Sequence, residues 1–103
     1  MITKKKSKAR AFMEGLYGPL TLGRAISAIR KCEEFTQVEF ANKLGISRAH
    51  LCDIEKGRKM VSPALAAKYA RALGESESQF VRLALQDELE RAGLHYSVHL
   101  EAA

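Results

Sequence analysis

The sequence predicts an all-α domain, with a short basic N-terminal arm or helix before it and a single C-terminal β-strand after it. Three observations predict this. From Leu22 to Ala92, apolar residues recur at spacings of three and four, the period of helices with one buried face. The segments open on residues that cap helices well, namely Thr21, Thr36, Ser47, Ser62 and Ser76. Four of them close at Gly45, Gly57, Gly74 and Gly93, where a left-handed backbone costs little. The chain divides accordingly into an arm over 1–20, a domain over 21–93 and a tail over 94–103.

The first ten residues carry Lys4, Lys5, Lys6, Lys8 and Arg10. Behind them Ala9, Phe12, Met13 and Leu16 share one helical face, so a short helix is expected from about Lys8 to Leu16. Tyr17-Gly18-Pro19 ends it. The next helix runs from Leu22 to about Glu33, with Leu22, Ala25, Ile26 and Ile29 as its stripe. Thr36-Gln37-Val38-Glu39 has the form of a capping box and starts a helix that lasts to about Leu44. Ser47 caps the following one, which turns Leu51 and Ile54 inward. Ser62-Pro63 opens a fourth, with Leu65, Tyr69, Ala70 and Leu73 as its buried face.

Ser76 with Gln79 forms a second capping box and begins the longest helix, about Glu77 to Ala92. Its apolar set includes Phe80, Val81, Leu83, Ala84, Leu85 and Leu89, wider than one core-facing stripe requires. A second contact is therefore expected, with another subunit as one candidate. After Gly93 the period changes to two. Leu94, Tyr96, Val98 and Leu100 alternate with polar residues, which predicts a strand with one apolar face. One strand cannot stand alone, so this one needs a partner strand.

The net charge of +5 is unevenly spread. Residues 1–74 carry a balance of +9 and residues 75–103 a balance of −4. A basic body suits a polyanion such as nucleic acid, and an acidic tail suits a different, basic partner. Solvated surface charge explains either equally well on charge alone. Cys32 and Cys52 formally allow one disulfide, but the expected state is two free thiols in a reducing cytoplasm. No apolar run reaches the ~18 residues that suggest a membrane span. The basic N-terminus has no apolar segment behind it, as a secretory signal would.

The short linker Gly45-Ile46-Ser47 joins two helices into a helix-turn-helix. Val38, Ala41, Leu44, Ile46, Leu51 and Ile54 are expected inside the crossing. The second helix is left projecting, able to enter a DNA major groove. With a helix before it and two after it, the stretch resembles the XRE family of Cro/cI-type domains. The residues that carry the resemblance are TQVEFANKLGIS, SRAHLCDIEKGRK and VSPALAAKYARALG. It covers roughly residues 22–85.

This resemblance implies a five-helix, lambda-repressor-like fold whose third helix reads double-stranded DNA. It places Gln37 on a phosphate and Ser47 as a cap that also touches the backbone. Arg48, Ala49 and Asp53 match base-facing positions, with His50 beside them. Lys56, Arg58 and Lys59 match phosphate contacts, and Arg30 and Glu55 match a structural ion pair. The chemistry of several can be argued separately. Arg48 can fork onto guanine O6 and N7, Ala49 can touch a thymine methyl, and Asp53 can accept from cytosine N4. Asp53 is equally well explained by an Arg or N–H partner within the protein.

Paired half-sites demand a homodimer. Leu83, Leu85, Leu89, Leu94, Tyr96, Val98 and Leu100 are the expected interface or partner surface. The tail VRLALQDELERAGLHYSVHL resembles HigA-like antitoxins of type II toxin–antitoxin pairs. That resemblance implies repression of the protein's own operon and capture of a RelE/HigB-like ribonuclease toxin. The alternative is a stand-alone XRE-type regulator. An enzyme is not expected: the sequence has neither GxxxxGK nor HExxH. No metal or cofactor is expected either, because His95, His99 and two distant cysteines make a poor zinc set.

Overall fold

The structure is a computed structural model and describes residues 20–103. The N-terminal arm, with its expected helix, lies outside the described residues. Among the described residues there are five helices: α1 (Leu22–Cys32), α2 (Gln37–Leu44), α3 (Arg48–Glu55), α4 (Pro63–Leu73) and α5 (Glu77–Arg91).

Local chemistry sets both ends of each helix. Thr21, Thr36, Ser47, Ser62 and Ser76 each accept a hydrogen bond from the amide three residues on. Thr36 and Glu39 complete a full capping box. The second expected box forms only half. Ser76 accepts from the Gln79 amide, but the Gln79 side-chain oxygen is taken by Arg82 Nε at 2.8 Å. At the C-terminal ends one pattern recurs: the amide of the residue after the left-handed position reaches back to the carbonyl five residues earlier. Ile46 bonds Ala41 in this way, Arg58 bonds Asp53 and Glu75 bonds Ala70. In α1 the left-handed residue is Glu34, at φ 60°, the only non-glycine with positive φ among the described residues.

The core gathers one face from every helix. Leu22 and Ile26, Phe40 and Leu44, Leu51 and Ile54, Tyr69 and Leu73, and Phe80 and Leu83 form one buried cluster. Two expectations about facing are corrected. Val38 is 52% exposed, and Phe40 takes the inward place in α2. Phe40, Ala41 and Leu44 define that helix's inner face, and Val38 falls outside the arc they span. Leu65 is likewise exposed, because Ala66, Tyr69, Ala70 and Leu73 set the inner face of α4 at i, i+3, i+4 and i+7.

The expected C-terminal strand is not formed. Residues 94–103 have no regular secondary structure. No second strand is present among the described residues, and a side-chain amide fills part of that role. Gln86 Nε2 donates to the Tyr96 carbonyl at 2.6 Å, and Gln86 Oε1 accepts from the Val98 amide at 2.9 Å. Together with the Leu94 amide, which donates to the Leu89 carbonyl at 2.9 Å, these bonds tie the tail to α5. Leu94, Tyr96 and Leu100 stay exposed, and Val98 is half-buried.

Candidate nucleic-acid interface

α2 and α3 pack directly against each other, and Gly45 at φ 73° makes the turn between them. Leu51 and Ile54 anchor α3 in the core. The opposite face is left to solvent. Ser47, Arg48, Ala49 and Lys56 are exposed, and His50, Cys52 and Asp53 are half-buried. Ser47 Oγ accepts from the His50 amide at 3.1 Å and fixes the first turn. The expected probe is therefore present: a short helix, held from behind, with a cation at its start and more at its end.

Arg58 and Lys59 follow the turn at Gly57 and are exposed. Their amides both bond the Asp53 carbonyl, at 2.8 and 3.2 Å. The Asp53 carboxylate accepts from Arg58 Nε at 2.8 Å, and a second guanidinium nitrogen of Arg58 reaches Cys52 Sγ at 3.7 Å. The hydrogen bond to Asp53 raises the already high pKa of Arg58. Of the two accounts open for Asp53, the internal arginine partner is the one the isolated chain displays. Cys32 and Cys52 are both free.

Behind the probe lies a tight ionic cluster. Arg30 grips Glu55 with two donors, Nε to Oε2 at 2.7 Å and Nη2 to Oε1 at 3.1 Å. Its third nitrogen, Nη1, donates to the Phe35 carbonyl at 3.0 Å. The side chains are only 13% and 6% exposed. Gln37 Nε2 also donates to Glu55 Oε1, at 3.1 Å. Gln37, expected on a phosphate, thus spends its amide nitrogen on Glu55 in the isolated chain, half-buried at the start of α2. The cluster ties α1, α2 and α3 at one carboxylate.

Two further residues set the frame, and neither stood out in the sequence. A methyl group on Gly23 would collide with the Ile54 carbonyl oxygen, so only glycine lets α1 approach the end of α3 this closely. The available signal was a glycine in the first turn of a helix, where it is otherwise costly. Asp87 of α5 accepts from the Leu22 amide at 3.0 Å and so caps α1 from across the fold. Burial raises its pKa, opposed by that hydrogen bond and by nearby Arg91.

The residues expected at a partner surface are split by the fold. Leu83 is 5% exposed and belongs to the core of the single chain. Leu85, Leu89 and Val98 are half-buried, and Leu94, Tyr96 and Leu100 are exposed. Among the described residues there is no cluster of metal-binding side chains, and no helix is long and apolar enough to cross a membrane.

Family comparison bears on this geometry directly. A model of the helix-turn-helix family HTH_3 matches residues 26–80. The chain belongs to that family. The HTH_3 match includes α2, the turn, α3 and all of α4, and so covers the whole exposed probe. The XRE-type resemblance is thus placed on family ground. The immunity repressor protein of Bacillus phage phi105 is 42% identical over 62 residues, which are 60% of this chain and 43% of the repressor. The chain therefore spans less than half the length of that relative. An HTH-type transcriptional regulator of Bacillus subtilis, YazB, is 40% identical over 57 residues, 55% of this chain and 83% of its own. Among solved structures, the clp gene regulator ClgR from C. glutamicum has a TM-score of 0.53 at 34% identity. It covers 63% of this chain and 84% of its own. A Vibrio cholerae HTH_3-family transcriptional regulator gives a TM-score of 0.52 at 28% identity, over 66% of this chain and 37% of its own.

Proposed function

We propose that the chain is a sequence-specific DNA-binding transcriptional repressor that acts in the cytoplasm as a homodimer. The observation that carries this is the outward face of α3, held rigidly from behind by Leu51, Ile54 and the Arg30–Glu55 pair. A major groove admits one helix of this kind. Arg48 and Ala49 face base edges, with Asp53 and His50 beside them. Gln37, Ser47, Lys56 and Lys59 flank them at phosphate height. The phage repressor and the ClgR regulator, both similar to this chain, support the reading. Two copies would present their α3 helices one duplex turn apart, about 34 Å. Leu85, Leu89 and the exposed apolar tail are the surface for that pairing.

The test is retardation of the duplex upstream of the protein's own gene, measured across a salt series. Specific binding should weaken steeply with salt, by about 0.9 in log–log slope per phosphate contact. Arg48→Ala should cost sequence preference, and Lys59→Ala should weaken all sequences alike. No retardation of any upstream fragment, or a flat salt response, would reject the function.

A finer reading makes the repressor the antitoxin of a toxin–antitoxin pair. It is supported by the acidic balance of residues 75–103 and by the exposed Leu94, Tyr96 and Leu100, which suit a basic protein partner. Co-purification with a small basic ribonuclease encoded next door would bear it out. A neighbouring gene of another kind leaves the stand-alone regulator.

A further inference from the structure

We propose that Asp53 and Arg58 form one base-reading unit, in which Asp53 is a positioning residue that holds the Arg58 guanidinium over the outward face of α3 to read a guanine. This rests on the DNA-binding reading above and goes beyond it: family resemblance would place Arg58 on a phosphate and Asp53 on a base by itself.

The geometry begins with the backbone. After Gly57 the chain folds back, and the amides of Arg58 and Lys59 close on the Asp53 carbonyl. The fold-back returns the Arg58 side chain to the last turn of α3. There Asp53 Oδ1 takes the Nε–H at 2.8 Å and Cys52 Sγ takes one N–H of Nη2 at 3.7 Å. Cys52 and Asp53 lie on the same side of α3 as Arg48 and Ala49, opposite Leu51 and Ile54. Arg58 is therefore drawn onto the groove-facing surface of the helix.

The grip leaves the end of the fork open. A guanidinium has five N–H donors. The side edge is spent on Asp53 and Cys52, and the Nη1 and Nη2 tips keep three donors for an outside acceptor. Two parallel donors at that end match guanine O6 and N7. The side chain is 58% exposed and can be reached. A held arginine also loses less rotamer freedom on binding than a loose one.

Charge points the same way. Asp53 is 39% exposed, and an unpaired carboxylate there would repel the phosphates on either side. Paired with Arg58, it adds no net charge. A neutral pair attracts a phosphate poorly, yet it directs hydrogen bonds at a base edge well. Lys56 and Lys59 remain as the cations that attract the backbone.

The experiment selects a preferred duplex from a randomised pool with the full wild-type chain. Binding to that duplex and to each of its single-base-pair variants is then measured for wild type, Asp53→Ala, Asp53→Asn, Arg58→Ala and the double Asp53→Ala/Arg58→Ala. Thermal melting confirms that each variant is folded. Arg58→Ala and Asp53→Ala should both flatten preference at one and the same G·C pair, by about tenfold or more. The double variant should be no flatter there than either single. Its salt slope should match wild type, because its net charge does. Asp53→Asn, which keeps the acceptor oxygen, should retain part of the preference.

Preference lost at two different base pairs, additive losses in the double, or an Asp53→Ala variant that keeps the full wild-type preference would overturn the proposal. So would a wild-type preference that none of the variants changes. If the wild-type chain selects no duplex at all, the DNA-binding function fails and the unit fails with it, a result plainly distinct from the others.

Discussion

Replacing Arg30 by alanine tests how the probe is held. Arg30 supplies two donors to Glu55 and one to the Phe35 carbonyl, so one truncation removes three hydrogen bonds. Among the described residues it also leaves the Glu55 carboxylate, 6% exposed, with only the neutral Gln37 amide donating to it. Breaking a buried pair from one side costs about 3–5 kcal/mol, chiefly because a charge stays buried without its partner. A domain of this size has roughly 5–15 kcal/mol in total. The variant should therefore lose a fifth or more of its stability, and its Tm should fall on the order of 12–40 °C. Urea unfolding followed by far-UV circular dichroism reads the loss, with the slope m unchanged if the fold is kept. Arg30→Met combined with Glu55→Met should recover most of it, since two apolar side chains carry no stranded charge. A loss below about 1 kcal/mol for Arg30→Ala, or a double variant worse than the single, would refute this account of the cluster.

Three other outcomes follow from particular contacts. Gly23→Ala should destabilise by about 1–3 kcal/mol, because the new methyl meets the rigid Ile54 carbonyl; a stabilised variant would contradict the close approach. Glu34→Gly should stabilise by about 0.5–1 kcal/mol, since the left-handed φ of 60° strains a residue with a Cβ; an unchanged or lower urea midpoint would count against it. Asp87→Asn keeps an oxygen for the Leu22 amide and removes the buried charge. Burial raises the folded pKa of Asp87 above its ordinary 3.8. The wild-type chain should therefore gain stability relative to Asp87→Asn as pH falls towards 3.8, and lose that advantage as pH rises through the folded value. Parallel pH profiles for the two would refute the assignment.

Much of this fold was legible in the sequence because its signals are local. A threonine or serine can find the amide three residues ahead without knowing the rest of the chain, and all five expected caps formed. Gly45 and Gly74 ended helices for reasons just as local. What failed depended on distant partners. Alternation in the tail suggested a strand, but a strand is made by its neighbour, and here the neighbour is one glutamine side chain from α5. Leu83 looked like surplus on α5, yet the opposing helices bury it. Gly23 and Asp87 act across 31 and 65 residues of sequence, on Ile54 and Leu22. In the candidate site, resemblance aligned Arg30 with Glu55, and the bidentate pair is present. The fold-back that joins Arg58 to Asp53 could not be read in advance, because it depends on how the chain turns at Gly57.

The most direct test of the central claim is where a duplex touches the protein. Amide chemical shifts of the full, isotope-labelled chain can be followed as the preferred duplex is added at moderate salt. The account predicts that the largest changes fall on Gln37 and on residues 47–59, with α5 and the tail changing little or only as a second subunit docks. Shifts centred on α5 and the tail, with α3 unmoved, would contradict it.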